Sequence, residues 1–403
     1  MRRNVVTLNA GSSSLKFALF EVEDLTPHLV SVGLAETVAT ERHFSVRDAK
    51  GALVHEEKWE IDDSPFHIDA LHRVINFWQS SVPKPNIVAA GHRVVHGGVL
   101  HGRPITVTDA VLADLRALVP LAPLHQPHNV RGIEAAREAW PNVPHVACFD
   151  TSFHRVHSFV NDAYALPRHL YDEGVRRYGF HGLSYESIIA RLREIAPLHA
   201  AGRVVVAHLG NGASMCAIRD GHSVACTMGF GTLDGLAMGT RCGQIDPCVL
   251  LYLMQEKGMN ADEISDLLHN KSGLKGLSGV SNDMRELEAS PLQEAAETID
   301  YFVSRIRYAL GGLAAEMKGL DAVVFCGGIG QHAWRVREAV MKDQEWLGIG
   351  LDRPANLASA EVISTEHSAV RVFVLASDEE ATIARHTVAI LDRTEKAEVL
   401  PVH

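Results

Sequence analysis

Val5–Glu21 reads VVTLNAGSSSLKFALFE. An apolar run stops at a knot of small and hydroxylated residues, Asn9-Ala10-Gly11-Ser12-Ser13-Ser14, and a second run opens around Lys16. The pattern is strand, turn, strand, yet a hairpin turn needs only two or three residues. The surplus of glycine, hydroxyls and lysine suits an anion, because successive backbone N–H groups and hydroxyls then converge on one concavity. An ordinary polar hairpin is the alternative. The loop is not of the Walker A type: G-x-x-x-x-G-K-[ST] is absent, and a strand rather than a helix follows the turn.

The stretch has an echo. RVVVAHLGNGASMCAIRDG (Arg203–Gly221) is again strand, glycine–asparagine–serine turn, strand. Two such units half a chain apart point to a duplicated α/β domain. A third glycine loop, CGGIGQ (Cys326–Gln331), lies between an apolar strand and a helical pattern, where a helix N-terminus favours an anion. Three such loops in one chain favour a nucleotide ligand. At 403 residues the chain exceeds one ordinary core. The expected domains are 1–150, completed by a C-terminal helix over 382–396, and 151–381.

Composition narrows the partners. With 46% hydrophobic and 22% charged residues the chain reads as soluble and globular. A formal charge of −11 opposes a broad nucleic-acid surface but leaves room for a local basic pocket. The six cysteines form no C-x-x-C pair and read as reduced thiols of a cytoplasmic protein. The apolar stretch after Met1-Arg2-Arg3 fails at Asn9 and no run is long enough to span a membrane, so a membrane partner is not expected.

Charged residues in glycine-lined segments supply the chemistry. GHRVVHGG (Gly91–Gly98) and MGTRCGQIDP (Met238–Pro247) each set one arginine, Arg93 and Arg241, among glycines. A guanidinium so placed grips a carboxylate or phosphate in a fork, or else caps nearby carbonyls. RRYGFHGLS presents His181 between aromatic and glycine neighbours. Asp150 ends a buried strand, and Asp283, Glu379 and Glu380 are further acids; an acid at a strand end facing a phosphate cleft suits Mg2+, and a helix cap or a solvated charge is the alternative for each. The spacings His92/His96 and His125/His128 tempt a zinc reading, but no H-E-x-x-H or Cys/His pairing accompanies them.

Taken in order, NAGSSSLKF, GHRVVHGG, APLHQP, FDTSFH, RRYGFHG, HLGNGAS, MGTRCG, SGVSNDMRE and GGIG resemble the signatures of the acetate kinase family. The resemblance runs from Asn9 to Glu379. It implies the actin-like ATPase (ribonuclease H-like) fold of the sugar-kinase superfamily. That means two duplicated α/β domains, each with a mixed five-stranded sheet flanked by helices, closing over ATP and Mg2+, with Mn2+ as a substitute, in a homodimer. The implied reaction is transfer between ATP and acetate, giving ADP and acetyl phosphate on the route to acetyl-CoA. Propionate or butyrate is the alternative acceptor.

The resemblance also implies roles. Asp150, His181, Arg241 and Arg93 match catalytic residues, and Asn9 and Glu379 match the metal-linked pair. Ser12, Ser14 and His125 match the phosphate clamp and its neighbours. The nucleotide positions are Lys16, His208, Leu209, Gly210, Asn211, Gly212, Asp283, Met284, Arg285, Gly328, Ile329 and Gly330. The acyl pocket corresponds to Val95, Leu124, Phe180 and Thr232, together with Arg93. Departures are local: Gln126, Gln244, Gln331 and His332 are atypical, SDEE stands for N-E-E, and GTLDG (Gly231–Gly235) replaces T-P-L-E-G. Thr232 therefore bears on acyl chain length. Without the family, an alcohol or sugar kinase using Asp150 as base, an ATP-binding chaperone-like module and a zinc hydrolase are the rivals.

Overall fold

The apolar runs form the centres of two sheets. In the computed structural model, which describes residues 2–11, 14–38, 41–61, 66–81 and 84–399, the chain divides into two compact units. The first runs to Ser152 and resumes at Asp378; the second is Phe153–Ser377.

In the first unit β1 (Arg3–Ala10), β2 (Ser14–Glu23), β3 (Thr26–Val38), β4 (Glu41–Asp48) and β5 (Leu53–Glu60) form an antiparallel meander. On the other side of β1 lie β6 (Ile87–Val94), then β8 (His145–Phe149), both parallel to it, with β7 (Ile105–Thr106) at the edge. In the second unit β9 (Arg203–Leu209), β10 (Ala213–Arg219), β11 (His222–Cys226), β12 (Ala322–Cys326) and β13 (Arg371–Val374) take the order β11-β10-β9-β12-β13. The inner order β3-β2-β1-β6-β8 repeats it, with the same two antiparallel and two parallel pairings. The fold is the duplicated actin-like one. The expectation of five strands in each half is corrected for the first, whose sheet has eight. The additions are β4, β5 and β7. β5 exposes alternate residues of LVHEEKWE, a charged edge that resists pairing with another chain.

Both faces of the first sheet are covered, which explains its unbroken apolar runs. Val6, Leu8, Leu15, Phe17 and Leu19 pack with Leu71, Val74 and Trp78 of the helix Phe66–Ser80. Phe17 stacks on Phe44 at 5.4 Å and meets Trp78 edge-on at 5.6 Å. The opposite residues, Val5, Ala18, Phe20 and Ala89, receive Ala384, Val388 and Leu391 of the last helix, Glu379–Val399. In the second unit the helix Gly182–Ile195 packs Tyr185, Ile188 and Leu192 on one face of the sheet, and Gln293–Glu316 covers β9 and β10.

The CGGIGQ segment also differs from expectation: Gly327–His332 is itself helical, so the glycines form the first turn rather than a loop before it. Gly91 shows how closely the last helix approaches. A Cβ there would run into Thr387 Oγ1 and stand 2.6 Å from Ile383 Cγ2. Gly91→Val should therefore lower the stability of the first unit by about 1–3 kcal/mol through overpacking, read as a shift of the urea midpoint in Trp59 and Trp78 fluorescence.

Candidate active site

In the first unit the functional groups collect where β1, β6 and β8 end. Arg93, on β6, makes a two-pronged contact with Asp150: Nε donates to Oδ1 at 3.0 Å and Nη2 to Oδ2 at 2.6 Å. Nη1 donates to Asn9 Oδ1 at 3.1 Å, and Glu379 Oε2 lies 3.8 Å from Nε and 3.5 Å from Asn9 Nδ2. Asp150 is 1% exposed. Burial is the largest influence on its carboxyl and raises it; Arg93 opposes that, and neighbouring Glu379 adds to it. For Arg93 burial alone would weaken the cation, but Asp150 and Glu379 outweigh it, so the guanidinium stays charged. Glu380 is pushed up by burial and by Glu379, with Lys16 opposing.

Two buried amides, neither given a role from sequence, align this cluster. Asn129 accepts from Val95 N at 2.9 Å and donates to Ala10 O at 2.8 Å, joining the end of β6 to the edge of the serine turn. Gln126, fully buried, donates to His96 O at 3.1 Å and Leu115 O at 3.2 Å, so the atypical residue of LHQP anchors the GHRVVHGG loop. Asn9, Asp150 and Glu379 are all oxygen donors, but Arg93 engages both oxygens of Asp150. No group of three or more His, Cys, Asp or Glu side chains suited to a metal occurs among the described residues. The set fits a hard cation that keeps most of its water, not an all-protein cage or a zinc site.

The second unit brings a different group together. Gly210–Gly212 forms the turn between β9 and β10, where Gly210 N donates to Gly212 O at 3.1 Å. A Cβ added at Gly212 would stand 3.4 Å from His181 Nε2 and 3.7 Å from Arg241 Nη2, so turn, imidazole and guanidinium share one corner. His181 stacks on His208 at 4.4 Å, and its Nδ1 lies 2.8 Å from Ser214 Oγ, which also meets the Tyr185 hydroxyl. Arg241 donates to Thr232 O at 2.9 Å.

Beside this corner lies a cavity of 550 Å³ lined by Gly210, Asn211, Asn282, Asp283, Met284, Arg285, Glu288, Gly328, Ile329, His332 and Ala333. Asp283 caps the helix Met284–Ala289 and grips Arg285, whose guanidinium holds its carboxyl down at about 2. Arg337, fully buried, satisfies carbonyls at the end of the glycine helix, donating to Gly330 O and Gln331 O at 2.8 Å each, and binds Asn356 Oδ1 at 2.8 Å. Burial pushes its guanidinium down to about 10, still a cation at neutral pH.

Of the nucleotide positions read from sequence, Gly210, Asn211, Asp283, Met284, Arg285, Gly328 and Ile329 line this cavity. Gly330 is buried behind it, Leu209 is fully buried in the sheet, and Lys16 is an exposed residue of the first unit. Asn282, Glu288 and His332 were missed, although Asn282 stands inside SNDMRE. In the first unit Val95 is buried, Leu124 is exposed and His125 is the residue before the helix Gln126–Ala139. Phe180 is buried in the second unit. Ser14 Oγ would lie 2.9 Å from a Cβ on Gly11, inside the hairpin. Ser12 lies outside the described residues.

A duplicated actin-like fold with a glycine turn, a glycine helix and an arginine–histidine corner defines a kinase class. A family model described as the Acetokinase family matches residues 4–385; the chain belongs to that family. An acetate kinase of Methylocella silvestris is 64% identical over 98% of this chain and 100% of its own. Among solved structures, acetate kinase of Porphyromonas gingivalis is 36% identical with a TM-score of 0.86, covering 96% of this chain and 100% of its own. A propionate kinase of Francisella tularensis is 34% identical with a TM-score of 0.87 over the same shares.

His154 supplies a test of this packing by pH. Burial, with His157 adding and the Phe180 carbonyl opposing, pushes its imidazole from 6.5 down to about 3. The unfolded chain therefore binds a proton between those values that the folded chain refuses, so stability falls as pH drops below 6.5. Between pH 7 and pH 5 this residue should account for about 2 kcal/mol of lost stability. His154→Gln should flatten the pH dependence of the urea midpoint in that range by the same amount.

Proposed function

We propose that the protein transfers the γ-phosphoryl group of ATP to acetate, giving ADP and acetyl phosphate, reversibly and by direct in-line displacement. Acetate is already an anion at neutral pH, so no general base is needed. An acetate oxygen forms the new bond to phosphorus as the bond to the ADP oxygen breaks. The obstacle is the approach of one anion to another, and such catalysis is mostly positioning and charge stabilisation. The observation that carries the reading is Arg93, a cation fixed by Asp150 and Asn9 with its side chain still 19% exposed.

In this reading the remaining N–H groups of Arg93 hold the acetate carboxylate. Arg241 and His181 meet the phosphoryl oxygens, and the N–H groups of the 210–212 turn cradle the phosphates. Tyr185 is kept neutral by burial and can donate to Ser214, leaving the Ser214 proton for His181 Nδ1. That order puts the imidazole proton on Nε2, beside Arg241, ready to donate. Asn9, Glu379 and Asp150 would hold Mg2+, directly or through water, and a divalent cation there supplies charge neutralisation on the phosphate oxygens. The cavity beside Asp283 and Arg285 takes the nucleoside.

Acetate is preferred over propionate or butyrate because the relative at 64% identity is named an acetate kinase, against 34% for the propionate kinase. The Thr232 carbonyl is already engaged by Arg241, so the side-chain change there leaves that bond in place. A homodimer belongs to the same reading. The helix Pro247–Gln255 buries none of its residues and exposes Val249, Leu251, Tyr252 and Met254, an apolar face a second copy would cover. No helix among the described residues is long and apolar enough to cross a membrane. All six cysteines are thiols, which agrees with a cytoplasmic setting.

Hydroxylamine trapping of acyl phosphate from Mg·ATP should give the highest kcat/KM for acetate. Formation only with a longer acid would move the name of the substrate, and none with any acid would refute the reaction. Arg241→Leu should lower kcat by about 10³-fold, the scale of an arginine at a phosphoryl transition state; unchanged turnover would remove Arg241 from the mechanism.

A further inference from the structure

FDTSFH contains, besides Asp150, a histidine that the reaction above does not use. His154 is fully buried. Its Nε2 lies 3.0 Å from Phe180 O and its Nδ1 2.7 Å from Ser223 Oγ. A carbonyl only accepts, so Nε2 carries the proton and donates to Phe180; Nδ1, in the neutral ring, accepts from Ser223. Ser223 Oγ in turn lies 2.7 Å from His157 Nε2 and 3.2 Å from Cys216 Sγ. The imidazole is therefore held at both ends, in one tautomer.

The segment it holds is unusual. Gly179 has φ +72°, and a Cβ there would stand 2.6 Å from His154 Cγ, so the backbone lies directly on the imidazole. His181, a non-glycine residue, takes the left-handed region at φ 57°. That conformation is disfavoured for a side chain bearing Cβ and persists only when the surroundings fix it. The peptide plane between Phe180 and His181 contains both the carbonyl that His154 engages and the nitrogen whose N–Cα bond is the axis of the His181 φ. Tyr178 N and Gly179 N donate to Gly229 O at 2.9 and 3.3 Å, pinning the segment upstream. Downstream, the helix Gly182–Ile195 begins immediately. Between these anchors the Phe180 carbonyl receives the His154 side chain.

We propose that His154 is a positioning residue: by anchoring the Phe180 carbonyl it holds His181 in its left-handed conformation and aims Nε2 at the corner shared with Gly212 and Arg241. This rests on the reading of His181 as the imidazole that meets the phosphoryl group. The role predicts a loss in kcat rather than in nucleotide affinity, because the cavity beside Asp283 is built from other segments. A displacement of about 1 Å at a reacting group lowers rate by about 10²-fold.

The test is a double-mutant cycle in hydroxamate-trapping kinetics on the full-length protein, with His154→Leu, His154→Gln and Ser223→Ala each made in the wild-type chain and in His181→Ala. His154→Leu should lower kcat by about 10²-fold with the KM for ATP within about twofold. His154→Gln, whose amide can still donate to Phe180, should recover most of that loss. In His181→Ala none of the three should lower kcat further, because the group they aim is gone. Ser223→Ala changes little volume and carries the same comparison if His154→Leu does not fold. Equal losses in both backgrounds, or no loss in either, would overturn the positioning role while leaving that of His181 intact. Full activity of His181→Ala would instead overturn the reading beneath it.

Discussion

The first unit is organised around one buried ion pair. Arg93 lies opposite Cys148 on adjacent parallel strands, Asp150 follows two residues beyond Cys148, and both prongs of the guanidinium are met by both oxygens of its carboxylate. A carboxylate that is 1% exposed cannot remain charged there without such a partner. The pair is also asymmetric. Glu379 approaches the same guanidinium from the last helix, so two acids compete for one cation and the cluster keeps an excess of oxygen donors. That excess of oxygen donors suits a hard cation. Asn129 and Gln126 hold the surrounding backbone, which turns an electrostatic contact into a fixed direction.

The second unit solves the complementary problem with backbone geometry. Glycines bring main chain close to the corner where His181 and Arg241 meet, and the buried Arg337 ties down the carbonyls that end the glycine helix. Such a helix has poor intrinsic propensity, since glycine loses more conformational freedom than other residues. Five polar contacts from one guanidinium compensate at the point where the helix would otherwise fray. The stiffness of the glycine helix thus comes from a side chain that lies outside it.

Much of this was legible in the chain. VVTLNA and RVVVAHL are unbroken apolar runs because their strands are covered on both faces, and the turns after them mark the duplication. The cysteine-to-glutamine glycine loop was located but read as loop, because glycine-rich sequence gives no helical signal and Arg337 stands outside it. Of the strands added to the first sheet, β5 and β7 escaped sequence reading, because LVHEEKWE alternates weakly between polar residues and Ile105–Thr106 is too short to register. In the candidate site, Arg93, Asp150, Asn9 and Glu379 were all named and do come together. Gln126, Asn129 and His154 were not given roles, since their contacts reach across 30, 34 and 26 residues and no local spacing announces them.

The central claim is that a fixed guanidinium charge at position 93 makes the approach of acetate to phosphate possible. The most direct measurement is hydroxamate-trapped turnover of Arg93→Ala with and without free guanidinium ion in solution. Turnover should fall by about 10³-fold or more, the range for such arginines, and added guanidinium should restore a measurable part of it. Wild-type turnover in Arg93→Ala would contradict the account, as would a loss that guanidinium leaves untouched in protein shown to be folded.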